Sequence, residues 1–162
     1  MSAEDAVRTL LAQTGATDLD RVSLEKTPKR VVASIKHQTN GYAKDPHAIL
    51  RAAKFDVDKF GTGATTTIEV KKISFSSLCE HHLLPFVGVC AIRYGPRKGG
   101  KVAGLSKFPR VVDIYARRLQ MQERLTQQIA QCIFDVLDPL WVTVEIEAMH
   151  MCMIVRGVHQ SE

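Results

Sequence analysis

The chain has 162 residues and a mass of 18.0 kDa, a length that argues for one domain. Hydrophobic residues make up 45% and charged residues 24%, which excludes a disordered or collagen-like chain. No apolar run approaches the roughly 18 residues of a membrane span, and the opening MSAEDAVRTL has no signal-peptide core, so a cytoplasmic protein is expected. Cys79, Cys90, Cys132 and Cys152 then point to metal or catalytic use rather than a disulfide framework.

In chain order, Ala3 to Leu11 suits a short helix. Thr27-Pro28 predicts an N-cap followed by proline at the first helical position, opening a helix that ends near Asn40-Gly41. Lys44 to Thr67 shows no dominant period, and Gly61-Thr62-Gly63 marks a loop. Thr67 to Phe75 reads as a strand whose apolar phase slips between Val70 and Ile73, predicting a bulge at Lys71-Lys72. Phe86 to Tyr94 reads as a second strand, and Pro96 to Gly100 as a turn. Ser106 can cap a helix with Pro109 in its opening turn and Phe108, Val111, Val112, Tyr115 and Leu119 at helical spacing. Met121, Leu125, Ile129, Cys132, Ile133, Val136 and Leu137 form the stripe of another, stopped by Asp138-Pro139. Trp141 to Val155 returns to period two, with Val142, Val144, Ile146 and Ala148 on one face. Strands, a helical pair and a long strand predict an α+β fold with a mainly antiparallel sheet.

The net charge of +5 is concentrated. Between Arg97 and Arg124, eight bases (Arg97, Lys98, Lys101, Lys107, Arg110, Arg117, Arg118, Arg124) face Asp113 and Glu123, a balance of +6. This favours an anionic ligand, with a solvated face as the bland alternative. Only Phe108 and Tyr115 lie within the segment, too few aromatics for a base-stacking nucleic-acid surface. A nucleotide triphosphate suits the charge as well.

Cys79-Glu80-His81-His82 places a thiol and an imidazole three residues apart, a pairing suited to zinc. If the last strand continues past Ala148, its alternation puts His150, Cys152, Ile154 and Arg156 on one face. Cys152 then offers a third ligand beside Cys79 and His82, and three ligands leave a position for water. A closed site would need Cys90, Cys132 or another histidine; both cysteines read as core. His81 and His150 remain for proton transfer, or for hydrogen bonds within the fold. Glu123, with Gln122 beside it at a helix start, suits the helix dipole or two parallel N–H groups of a guanine edge.

Taken together, SSLCEHHLLPFVG (76–88), GLSKFPRVV (104–112), RRLQMQERLTQQI (117–129), AMHMCM (148–153) and VRGV (155–158) resemble the type I GTP cyclohydrolases. The resemblance implies a tunnelling fold, an antiparallel sheet backed by two helices, in toroidal pentamers that usually pair into decamers. It implies one domain over 1–162, with an N-terminal helical part (1–45) and a catalytic core (66–158). It implies that GTP and water become formate and 7,8-dihydroneopterin triphosphate. Cys79, His82 and Cys152 are then the Zn2+ ligands, and His81 and His150 the proton-transfer residues. Glu123 and Gln122 hold guanine; Ser106, Lys107, Arg110 and Arg156 hold the ribose-triphosphate end, with Ser106 also a proton relay. The chain stops where relatives usually continue with a further strand and helix, and Trp141 stands where they commonly have a small residue. The rival expectations are a metal-free pterin-binding relative and a nucleic-acid-binding module with structural zinc.

Overall fold

A computed structural model of the chain describes residues 1–15, 24–60 and 67–160. They belong to two compact units, Met1–Thr39 and Asn40–Glu162. In the first, helix α1 (Ala3–Ala12) opens on a capping box: Asp5 N–H donates to Ser2 Oγ (3.1 Å) and Ser2 N–H to the Asp5 carboxylate (3.0 Å). Helix α2 (Thr27–Gln38) packs against it. Thr27 is the first residue of α2 rather than its cap; Lys26 holds the cap position without a side-chain bond, and Pro28 supplies the pre-set first turn.

The second unit opens with a 3-10 turn (Asn40–Ala43) and the short helix α3 (Pro46–Arg51), capped by Asp45, whose Oδ1 accepts from His47 N–H at 2.8 Å. Strand β1 (Lys54–Asp56) and a second 3-10 turn (Val57–Phe60) follow. These elements are three to six residues long, too short to show a period, which is why the stretch from Lys44 had no dominant pattern. The expected Gly61-Thr62-Gly63 loop lies outside the described residues.

The central sheet contains β2 (Ile68–Cys79), β3 (Pro85–Gly95), β5 (Leu119–Gln120) and β6 (Trp141–His150), in the order β5-β2-β3-β6. The β2–β3 and β3–β6 pairs are antiparallel and β5 runs parallel to β2. The expected bulge is present: the register shifts between Val70 and Ile73, with Lys72 at φ 56°. Strand β4 (Lys101–Ala103) pairs with β1 in a separate ribbon.

Helices α4 (Lys107–Ala116) and α5 (Gln122–Leu137) pack on β2 and β6, respectively, as expected for the tunnelling fold. Between helices and sheet lie Phe86, Cys90, Ile92, Tyr94, Phe108, Val111, Leu125, Ile129, Cys132 and Ile133, all fully buried. Each large apolar side chain contributes about 1.5–3 kcal/mol relative to an exposed one, so this layer dominates the stability of the unit. Cys90 and Cys132 belong to it, as their positions predicted. Trp141 pairs with Gly95 across β3–β6, and a Cβ on that glycine would lie 2.6 Å from the indole nitrogen. The large residue at the start of β6 is thus accommodated by an absent side chain opposite.

Besides that of Thr27, three expectations need correction. Leu119, expected on the stripe of α4, lies beyond its end in β5. Ser106 stands at the N-cap of α4, but its backbone is already helical (φ −65°, ψ −10°) and its hydroxyl makes no cap bond. More important, the alternation of the last strand stops at His150. Met151–Ile154 form a helical turn, α6, so Cys152 and Arg156 do not share a strand face.

Candidate metal centre and its surroundings

The end of β2 delivers Cys79, and a tight turn delivers the histidines. Cys79 accepts at its carbonyl from Leu83 N–H (2.9 Å) and donates its own N–H to Leu84 C=O (2.9 Å). Leu83 takes the left-handed conformation (φ 55°) needed to close that turn before β3. Glu80 N–H donates to Gln120 C=O at 3.0 Å, and the Glu80 carboxylate pairs with Arg124 on α5. The turn is therefore fastened at both backbone and side chain to the β5–α5 junction.

From the other side, β6 ends beside Phe86 and α6 turns Cys152 back towards β2. Cys152 Sγ lies 3.9 Å from Cys79 Sγ, and with a ring nitrogen of His82 the three ligand atoms lie within 4.8 Å of one another. Among the described residues this is the one such group. Burial pushes the Cys152 thiol up, and the neighbouring Cys79 adds to the shift. Two tetrahedral thiolates on one zinc stand about 3.8 Å apart, given a Zn–S length of about 2.3 Å. The observed sulfur separation fits that ion without rearrangement, and a cation between the sulfurs would relieve their mutual repulsion. Cys79 is buried, Cys152 half-buried and His82 exposed, so the cluster faces solvent on one side.

Arg156 reaches the cluster from just beyond α6, its side chain folded back over the turn. Its Nη1 donates to Cys152 C=O four residues back (3.2 Å) and approaches His82 Nε2 at 3.3 Å. His81 Nδ1 is 3.5 Å from Cys79 Sγ. His150 stacks on Phe86, with centroids 4.7 Å apart and planes 3° from parallel, and its Nε2 lies 2.8 Å from Gln122 Oε1. A groove of about 560 Å³ runs past His150 along Val87, Gly88, Ala148 and Met149. A Cβ on Gly88 would meet the Glu147 carbonyl at 2.0 Å, so β3 and β6 approach each other here only with a glycine at this position.

The remaining expected residues are not joined to this cluster. Glu123 is exposed, with no hydrogen bond or ion pair among the described residues, and so are Ser106 and Arg110; Lys107 is half-buried and also unpaired. The surrounding excess of positive charge is largely committed elsewhere. Arg97 pairs with Asp138, Lys101 with Asp56, Arg117 with Asp113 and Arg124 with Glu80, while Arg118 lies over the rings of Tyr42 and Tyr115. Of the eight bases, Lys98, Lys107 and Arg110 have no such partner among the described residues. Sequence reasoning did not find the Glu80–Arg124 tie or the inward turn of Gln122; both depend on which side of α5 meets the turn and β6.

A sequence model of GTP cyclohydrolase I matches residues 3–162. The chain belongs to the GTP cyclohydrolase I family. It is 52% identical over 144 residues to GTP cyclohydrolase 1 of Parabacteroides distasonis, covering 89% of this chain and 70% of the relative. It is 49% identical over 156 residues to the enzymes of the same name from a Synechococcus species and Gloeobacter violaceus, covering 96% of this chain and 65% and 69% of theirs. The chain thus spans about two thirds of the length of these relatives. Membership of the GTP cyclohydrolase I family places the chain among enzymes, specifically hydrolases. Among the described residues no helix is long and apolar enough to cross a membrane.

Proposed function

We propose that this chain is a zinc-dependent hydrolase that converts GTP and water to formate and 7,8-dihydroneopterin triphosphate in the cytoplasm. The observation that carries the reading is the convergence of Cys79, His82 and Cys152 to within 4.8 Å, in a chain of this family. Those three residues would hold the ion. Zinc there would supply Lewis acidity and a water of lowered pKa for attack on C8 of the guanine ring.

The chain's own residues do the rest. The free carboxylate of Glu123 accepts two parallel N–H bonds from the guanine edge, helped by its place in the first turn of α5. His150 and His81 flank the cluster and transfer protons as the imidazole ring opens and formate leaves. Lys107 and Arg110, one helical turn apart, have their charges free for the triphosphate, at a helix start that already favours anions. Arg156 brings a planar donor from the metal side, and Ser106 is a proton relay during ribose rearrangement.

Because nothing among the described residues ties Lys107 and Arg110 to the cluster, we place the complete site between copies of the chain, in a pentamer or decamer. A metal-free pterin-binding relative would have no use for all three ligands together. A nucleic-acid module would need the bases that are instead paired with Asp56, Asp113, Asp138 and Glu80. The deciding experiment incubates purified protein with GTP, with and without a chelator, and follows formate and pterin fluorescence while sedimentation reports assembly. Formate release that stops on chelation is expected; no formate from the zinc-loaded oligomer would overturn the reading.

A further inference from the structure

Gln122 and Glu123 are neighbours at the start of α5, and the resemblance gives both to guanine. Consecutive helical residues point about 100° apart, and here the two side chains part company. Glu123 is exposed and has no partner among the described residues, whereas both polar atoms of the Gln122 amide are engaged inside the chain. Gln122 Nε2 donates to Ile146 C=O on β6 at 3.2 Å, and Oε1 faces His150 Nε2 at 2.8 Å.

These two contacts determine where the imidazole carries its hydrogen. The Ile146 carbonyl can only accept, so it selects the NH2 end of the amide; the opposite orientation would set two acceptors against each other. The oxygen is then left facing His150, and an amide oxygen only accepts. His150 Nε2 must therefore be the donor. In the neutral ring this leaves the lone pair on Nδ1. Phe86, fully buried and the register partner of His150, holds the plane of the ring by stacking 4.7 Å away. Ring plane and tautomer are thus set by separate groups on separate elements.

We propose that Gln122 is a positioning residue that holds His150 as the Nε2–H tautomer and so makes Nδ1 the nitrogen that exchanges protons with substrate. The proposal rests on the proton-transfer role given to His150 above, and it removes the Gln122 side chain from guanine recognition. It belongs to catalysis rather than binding. A misassigned tautomer costs orders of magnitude in turnover, as the roughly 10⁴-fold loss on amidating the orienting aspartate of a serine-protease triad shows.

The test uses the zinc-loaded oligomer and two variants, Gln122→Met, which fills the space without an acceptor, and Gln122→Glu, which restores one. Three quantities are read: kcat and KM for GTP, bound zinc, and the ring 15N shifts of His150 in histidine-labelled protein, which report the tautomer directly. Gln122→Met is expected to lower kcat by about 10²-fold or more, within the range of general acid–base contributions. Its KM and zinc content should stay near wild type, and Gln122→Glu, which keeps the acceptor for His150 but sets a second one against the Ile146 carbonyl, should recover part of kcat. A raised KM with unchanged kcat in Gln122→Met would overturn the proposal, as would equal impairment of both variants. Should neither variant fold, the wild-type spectrum still decides: a proton on Nδ1 and none on Nε2 sinks it. Failure of the broader functional reading looks different, because wild-type protein would then yield no formate whatever its His150 spectrum.

Discussion

The turn after β2 and the start of α4 are alike in sequence terms: each is a short polar stretch beside a buried element, and each was expected to meet the same nucleotide. Inside the chain they are built differently. The turn is held by Leu83, Leu84, Gln120 and Arg124, and its cysteine meets a second sulfur 73 residues away at 3.9 Å. The start of α4 presents Ser106, Lys107 and Arg110 with no side-chain partner at all among the described residues. Coordination tolerates errors of only tenths of an ångström, so a bracing of this kind is what the three residues proposed to hold zinc would need. The phosphate contacts proposed for Lys107 and Arg110 would need only charge of the right sign in reach, which flexible side chains can supply without bracing.

That contrast makes separable predictions. The largest effect belongs to the braced region: Cys79→Ser or Cys152→Ser should lose bound zinc and bring formate release below detection. Zinc retained at wild-type stoichiometry, by metal analysis, would break the distinction. In the waiting region, Arg110→Ala should keep its zinc and raise KM for GTP by about 10–100-fold, the loss of a hydrogen bond to a charged group of roughly 1.5–3 kcal/mol. Glu123→Ala should do the same, since its carboxylate holds no structural bond; zinc loss in either variant would mean that the two regions are one.

Smaller still is the effect of loosening the brace. Arg124→Leu should weaken zinc binding by up to about tenfold, the low end for outer partners of ligands, because it loosens the turn that carries Cys79 and His82 rather than a ligand itself. Stability should change by at most about 1 kcal/mol because the ion pair is partly exposed. Glu80→Gln should match it, and the double variant should add nothing further, which competition with a chromophoric chelator can measure.

The mildest test concerns the cysteines of the core. Burial pushes the thiols of Cys90 and Cys132 up to about 12 and about 11 from 9.0. The folded chain keeps those protons where the unfolded chain has lost them, so stability is full below pH 9 and falls as pH rises towards 12. The urea midpoint should decline over that window, and Cys90→Val should flatten the decline. A midpoint independent of pH up to 11 would show that these thiols ionise without unfolding, unlike true core groups.

Much of the site was legible because its residues sit close together in sequence or repeat with a clear period. The Cys79-Glu80-His81-His82 turn, the bulge at Lys71-Lys72, the two amphipathic helices and the core placement of Cys90 and Cys132 all carry local signals. The last strand misled. Its alternation is flawless to His150, and nothing in Met151-Cys152-Met153-Ile154 announces a helical turn, because methionines fit either state. Cys152 reached the cluster nonetheless, and Arg156, just past α6, kept its place by folding its side chain back onto the Cys152 carbonyl rather than by a step along a strand. The excess of charge misled differently: spacing showed how many bases were present but not that Arg97, Lys101, Arg117 and Arg124 would each find an acid.

From residue order alone came the kinds of group available: two thiols and an imidazole suited to zinc, histidines for protons, a carboxylate at a helix start, and apolar stripes with periods of 3.6 and two. These follow from side-chain chemistry and backbone period, which are local. Only the tertiary structure decided which groups meet, that Gln122 turns to His150, that Arg124 holds Glu80 and that Lys107 and Arg110 have no partner among the described residues. Such pairings depend on how α5 lies against β6 and the β2–β3 turn, and that packing is settled by the whole buried layer at once.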